Sequence, residues 1–405
     1  MQRRHQRLYR PATPFSASNG PARPDYSRGG RACSLLAFLA VTRLRLGQQL
    51  CGVQGHGQGA AVWDATRRAV DERAGACGRF LLTGSSTPSM DKVAHSGAGR
   101  IARLRMEPMT LVEQGLSGGE ASLEGLLAGC ELPTAQSNLG LEELVASLCR
   151  GGWPAALDKP SELQGIVVGQ YLEAFSDAVA RRGDLDSAHM RRVLYALARN
   201  DGCSASVETI TRDALRGEEP TSADRADTTR YLAYLEENYM LRNLGGWDAP
   251  VKSRARARTR PKRYLVDPSL TVSLLGYDAQ RLLWDRQLLG TLFESLCIRD
   301  VSAYLCASTK LRQPGLFYYR DAYGLEVDAV IELAQGRWAG LEIKLDVAKA
   351  DEAAASLLRL RDKVASNPMA QNPEPAFLGV VCANAPFFFR RPDGVYVIPA
   401  GCLGR

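Results

Sequence analysis

The sequence predicts an α/β protein, and three observations carry that prediction. Residues 317–345, FYYRDAYGLEVDAVIELAQGRWAGLEIKL, alternate apolar and polar side chains on both sides of a short Gly-containing break, as two paired strands do. Apolar residues at helical spacing flank that hairpin, over Leu282–Ser302 and Ala350–Ser366, and Ala376–Cys382 (AFLGVVC) follows as a buried-type strand. Earlier in the chain, Arg79–Ser85 and Arg100–Met106 read as strands on either side of a helix through Met90–Ala94, an order that belongs to a parallel α/β sheet.

Composition sets the class. At 405 residues the chain has room for two or three domains, and 45% hydrophobic with 23% charged residues is the balance of a soluble protein. Its ten cysteines are scattered without a Cys-x-x-Cys pair, which argues for reduced thiols in a cytosol rather than a disulfide frame or a zinc site. The four histidines (His5, His56, His95, His189) are too dispersed for a histidine metal site or a triad. The apolar run Ser34–Val41 is closed by Arg43 and Arg45, well short of a membrane span, and no small-residue cleavage site follows it. The reading is therefore cytoplasmic, with no membrane partner. The net charge of +7 is local: Val251–Arg263 (VKSRARARTRPKR) holds seven basic residues and no acid, so the rest of the chain balances to zero.

Along the chain, residues 1–60 are rich in Arg, Gly, Pro, Ser and Gln without a sustained period, and read as a disordered or divergent segment with one short helix around Leu35–Leu46. From 61 to 118 the texture is α/β, beginning with a helix over Val62–Arg73. No Gly-Lys dipeptide occurs anywhere, so the phosphate-cradling Gly-x-x-x-x-Gly-Lys-Ser/Thr loop is missing. Gly119–Gly140 reads as a mobile connection with one helix. Residues 141–270 form a helical domain, with helices over Leu163–Ala180, Ser187–Ala198 and Ala226–Asn238 whose stripes (Tyr171, Leu172, Phe175; Leu194, Tyr195, Leu197) are core. Strands at Met240–Leu244 and Tyr264–Val266 follow, and three helices with a hairpin is the plan of a winged helix. The basic run lies in its wing. In an extended backbone Arg254, Arg256, Arg258 and Arg260 project to one side, about 7 Å apart. Together with Lys252, Lys262 and Arg263 they make a row able to follow nucleic-acid phosphates, and a solvated charged loop without a partner is the equally weighted alternative.

Residues 280–405 contain the hairpin. Strands Leu325–Leu333 and Arg337–Leu345 leave Ala334, Gln335 and Gly336 as a three-residue turn, the last residue at positive φ. In that register Asp328 faces Glu342 and Glu326 faces Lys344, while Leu325, Val327, Ala329, Ile331 and Leu333 form a core face with Ala339, Leu341, Ile343 and Leu345. A two-residue turn would put Asp328 and Glu342 on opposite faces. Two carboxylates and a lysine on one face suit Mg²⁺ and an attacking water. On spacing alone, a solvated face with a Glu326–Lys344 pair is the commoner explanation.

Two resemblances bear on that choice. Helix, three strands, helix, strand is the core order of the PD-(D/E)XK nuclease-like fold, which this segment resembles. The resemblance implies catalytic roles for Glu294 on the first helix, Asp328, Glu342 and Lys344, with Mg²⁺ on Asp328 and Glu342. The blocks FLLTGSSTPS, HSGAGRIARLRMEPMTLVEQGLS, GGWPAAL, YLAYLEENYMLRNLGGW, PKRYLVDPSL and GLEIKL resemble bacterial AAA-superfamily ATP-binding proteins that carry a C-terminal domain of unknown function. That likeness implies ATP as cofactor and nucleotide contacts from Thr83, Ser85 and Arg100. Without a Walker A loop or a Walker B Asp-Glu strand the ATP site reads as lost here, and Thr83 and Ser85 as a plain strand-end turn.

The expected whole is a truncated AAA-like portion, a winged-helix-like middle and a nuclease-like end, acting on DNA, with room for an oligomer. The alternatives are an ATP-dependent regulatory or partner-binding ATPase whose C-terminal domain recognises without cutting, and a nonfunctional remnant.

Overall fold

The computed structural model describes residues 66–72, 105–182, 184–249, 256, 259–308, 311 and 314–405. Residues 66–71 are helical, inside the helix expected over Val62–Arg73. The expected strand Arg79–Ser85, the helix near Leu35, Lys252, Arg254 and Arg258, and Thr83, Ser85 and Arg100 all lie outside the described residues. Of the expected strand Arg100–Met106 only Arg105 and Met106 are described, and neither is in a strand.

β1 (Ala121–Ser122) leads into α1 (Leu123–Leu127) and β2 (Ala135–Gln136). The helical middle comprises α2 (Leu141–Arg150), α3 (Pro154–Leu157), α4 (Ser161–Arg182), α5 (Ser187–Arg199), α6 (Val207–Ala214) and α7 (Ser222–Glu237). Each of the last three begins at a residue whose side chain accepts a first-turn amide: Asp186, Ser206 and Thr221, the last with a reciprocal Asp224 contact. β3 (Leu241–Gly246) and β4 (Lys262–Leu265) make the hairpin, followed by α8 (Pro268–Leu275), α9 (Ala279–Trp284) and α10 (Arg286–Ala307). Asp285 separates α9 from α10 because its side chain caps the second helix, accepting Leu288 N at 3.0 Å. Then come β5 (Gly315–Arg320), β6 (Glu326–Glu332), β7 (Trp338–Lys344), α11 (Ala350–Ala365), β8 (Leu378–Cys382), β9 (Phe387–Arg390), β10 (Tyr396–Pro399) and β11 (Leu403–Gly404).

Among the described residues nine strands form one mixed sheet in the order β2-β9-β10-β8-β7-β6-β5-β3-β4, with β7, β8 and β10 parallel and β5, β6 and β7 antiparallel. α10 covers one face, where Leu289, Leu292, Phe293 and Leu296 meet Ala329, Ile331, Leu341 and Ile343. α11 covers the other, where Ala353, Ala354, Leu357 and Leu360 meet Val327, Val330, Trp338 and Val380. The hairpin is thus apolar on both faces, and its acids are the exception rather than one side of a solvated ribbon.

Several expectations change. Leu325 and Val327 do not continue the core face of Ala329, Ile331 and Leu333; they pack under α11. The cause is a bulge: between Phe317 and Tyr319 on β5, its partner β6 advances by three residues, from Val330 to Val327, so alternation slips by one. Residues 119–140 are no mobile connection. β1 pairs with β11, β2 pairs with β9, and Leu123, Leu126 and Leu127 are buried. Tyr195 leaves the core stripe and is 46% exposed, one position round the helix from buried Leu194. The winged-helix plan gains α6, and its hairpin is not a free arm, since β3 also pairs in parallel with β5 through Gly245↔Phe317 and Gly246↔Tyr318.

A buried polar junction ties these parts together. Arg299 on α10, 1% exposed, donates to Asp300 at 2.8 Å and to Asp267 at 2.8 Å. Asp300 accepts the Leu111 amide and Asp267 the Gly152 amide. The GGWPAAL block exists for this junction: Gly151 has φ +74°, and a Cβ there would stand 2.3 Å from Ser269 Oγ and 2.6 Å from Asp267 Oδ1. The seven described cysteines are all free, and among the described residues no helix is long and apolar enough to cross a membrane.

Candidate functional site

The β6–β7 ladder runs from Ala329↔Leu341 to Glu332↔Trp338, the register of a three-residue loop. Gly336 has φ +73° as the turn requires, and Gln335 also takes positive φ, +67°. Past the ladder, Asp328 Oδ2 accepts the Ile343 amide at 2.8 Å and Lys344 Nζ at 3.1 Å, while the same ammonium lies 2.5 Å from Glu342 Oε2. Asp328 and Glu342 therefore share one side of the sheet with Lys344 between them. Glu326 does not pair with Lys344. It meets Lys262 at 2.8 Å, beyond the bulge that re-aims the start of β6.

Glu294 enters the cluster from α10. Lys262 Nζ is 3.0 Å from Glu294 Oε1 and 3.9 Å from Asp328 Oδ1, and the Tyr264 hydroxyl donates to Glu294 Oε1 at 2.6 Å. All four residues implied by the nuclease resemblance are thus linked, Glu294 through Lys262. Asp328, Glu342, Lys344 and Glu326 line an open pocket of about 290 Å³ whose opposite wall is α11, through Glu352, Ser356 and Arg359.

Burial and pairing pull the two acids apart. Burial, and then the charge of Asp328, push Glu342 up to about 9, so at neutral pH its carboxyl keeps a proton. Burial opposes ionisation of Asp328 too, but the ammoniums of Lys344 and Lys262 outweigh it and hold Asp328 below the usual carboxylate range. Burial likewise raises Glu294, with Asp328 adding to the effect. Both lysines are held above their ordinary range because the surrounding carboxylates overcome desolvation.

The donor set fits a hard divalent ion. Mg²⁺ takes one or two carboxylates and keeps several waters, and Asp328 with Glu342 supplies two carboxylates already arranged around a cation, the Lys344 ammonium. Among the described residues no group of three or more His, Cys, Asp or Glu side chains is placed to hold a metal, so a closed protein cage of the zinc type does not fit. Because Glu342 must lose its proton to ligate, any Mg²⁺ held by this pair would bind about tenfold more tightly per pH unit, levelling off near pH 9. Titration calorimetry in buffers of different ionisation enthalpy checks this. The released proton should disappear in Glu342→Gln.

The basic row does not project as one line. Arg256 turns inward, gripping Glu332 with both guanidinium nitrogens at 2.7 and 2.9 Å and donating from Nε to the Asp248 carbonyl at 2.6 Å. Lys262 is buried in the carboxylate cluster, and Arg263 donates to the Ala205 carbonyl at 2.5 Å. Arg260 is exposed. Of the described basic residues, Arg256 and Lys262 are paired with internal acids and Arg263 with a backbone carbonyl.

In the sequence Lys262 reads as a phosphate contact and Tyr264 as a plain strand residue, whereas both touch Glu294. The available signal was that Lys262 and Tyr264, two apart in a strand, share a face. Ser356 and Arg359 were also missed, as polar positions on an amphipathic helix carry no distinctive pattern.

Two family models match the chain. One, described as a domain of unknown function (DUF8612), covers residues 141–281. The other, also a domain of unknown function (DUF4143) and known to be AAA-associated, covers residues 289–403 and so contains Glu294, Asp328, Glu342 and Lys344. No curated protein and no solved structure matches.

Proposed function

We propose that this is a DNA-associated protein whose C-terminal domain cuts phosphodiester bonds with Mg²⁺ held by Asp328 and Glu342. The supporting observation is the meeting of those acids on one ammonium, Lys344, at the floor of a pocket open to solvent. Asp328 and Glu342 would hold the Mg²⁺, which when bound would supply Lewis acidity toward the phosphate and the attacking water. Lys344, beside both acids, would orient the attacking water and stabilise charge developing on the phosphate. Lys262 neutralises Glu294 and Glu326, so that the acids behind the site repel an incoming phosphate less.

The test is cleavage of labelled DNA with and without Mg²⁺, wild type beside Glu342→Gln. Magnesium-dependent cutting that is lost in the variant supports the reading; equal cutting by both removes this site from it.

A second reading is favoured by one observation. Lys344 and Lys262 between them already contact all four carboxylates of the cluster, which a recognition module without cleavage would also show. In that reading the protein is a nucleotide-dependent regulator, and micromolar ATP with Mg²⁺ should raise its melting temperature by mass action. The missing Gly-Lys loop favours no shift.

A further inference from the structure

Arg359 lines the carboxylate pocket, is exposed, and makes no hydrogen bond or ion pair among the described residues. Four positions on along α11 lies Lys363, on the same face of the helix. Lys363 lines a second cavity of about 250 Å³ with Trp247, Tyr319 and Leu360. The two cavities are therefore consecutive along α11, and Arg359 and Lys363 are neighbouring cations on their shared wall.

Beside Lys363 stands Tyr323, 86% exposed. Its loop is tied down: Asp321 Oδ1 accepts the amides of Tyr323 at 2.8 Å and Leu325 at 3.0 Å, and Oδ2 accepts Lys363 Nζ at 2.6 Å. The Lys363 ammonium also sits 5.4 Å from the centre of the Tyr323 ring. The next residue, Gly324, lines the carboxylate pocket. A large ring displayed to solvent buries little of its own surface, yet three hydrogen bonds hold the loop that presents it. Preorganised aromatics beside cations are what a single-stranded nucleic acid uses, bases stacking on the rings and phosphates meeting the charges. A base inside a duplex has both faces already covered by its neighbours and offers the tyrosine nothing to stack on.

We propose that the substrate strand is single-stranded where it crosses this wall, with one base stacked on Tyr323 and flanking phosphates on Arg359 and Lys363. This rests on the reading of the carboxylate pocket as the cutting site and names the form of its substrate.

The experiment is fluorescence anisotropy on the full chain in EDTA, with a labelled oligothymidylate of about twelve nucleotides and the same strand in a blunt duplex with oligodeoxyadenylate. The single strand should bind at least about tenfold more tightly than the duplex, Tyr323→Ala should weaken it roughly tenfold, and Tyr323→Phe should stay within about twofold. Arg359→Ala should lower the slope of log affinity against log salt by about 0.7. Equal binding of both forms, no binding of either, or a Tyr323→Ala protein that binds like wild type overturns the proposal. Cleavage is scored apart from binding. Tyr323-dependent binding of the single strand without magnesium-dependent cutting keeps the groove and removes the nuclease reading. Duplex cutting indifferent to Tyr323 does the reverse.

Discussion

Arg299→Met is expected to destabilise the protein by about 3–5 kcal/mol, enough to unfold much of a typical domain. Arg299 is almost fully buried between Asp267 and Asp300, so an apolar replacement of similar length fills the space but leaves two carboxylates facing each other away from water. Each still holds a backbone amide, Gly152 N on Asp267 and Leu111 N on Asp300, so neither can turn outward without losing that bond. The penalty is one of unpaired charge. Adding Asp300→Asn to Arg299→Met should therefore recover a measurable part of the loss, because the amide oxygen keeps the Leu111 hydrogen bond without the charge. Urea unfolding of the single and double variants checks both statements; a single variant within about 1 kcal/mol of wild type would contradict the first.

Lys344→Ala is expected to lower magnesium-dependent cleavage by about 10²–10³, the usual loss when a preorganised charge aimed at the transition state is removed. Glu342 already carries a proton at neutral pH, so removal of the ammonium leaves Asp328 as the charged member of the pair and does not force two bare carboxylates together. Lys262, 3.9 Å from Asp328, continues to balance it. Fold and DNA binding should accordingly survive while turnover falls, which separates a chemical role from a structural one. Asp328→Asn should be equally inactive, and it retains an oxygen for the Ile343 amide where alanine would orphan a buried donor. Measured rates for both variants within about threefold of wild type would dismiss the site.

The hairpin was legible in the sequence because alternation and turn chemistry act over a few residues. Ala334, Gln335 and Gly336 set the loop length, the loop length set the register, and the register put Asp328 and Glu342 on one side. The α10 and α11 helices were legible for the same reason, each with apolar residues at three- and four-residue spacing. What the sequence did not disclose was anything decided by partners far along the chain. Lys262 and Arg256 belong to a basic run that looks like a solvated arm, yet Lys262 finds Glu294 and Glu326, and Arg256 finds Glu332, 76 residues away. The β6 bulge is invisible locally because it exists only relative to β5, and the short pairings of β1 and β2 depend on strands more than 250 residues later.

By itself, the sequence determined an α/β protein with a two-faced hairpin and an Asp, Glu and Lys set on it, since strand period and turn length are properties of neighbouring residues. The tertiary structure alone decided that β3 of the hairpin is joined to the sheet, that Lys262 completes the carboxylate cluster and that Arg359 and Gly324 line its pocket. Charge pairs and pocket walls form between residues distant in sequence, and which of them meet is set by how the helices cover the two faces of the sheet.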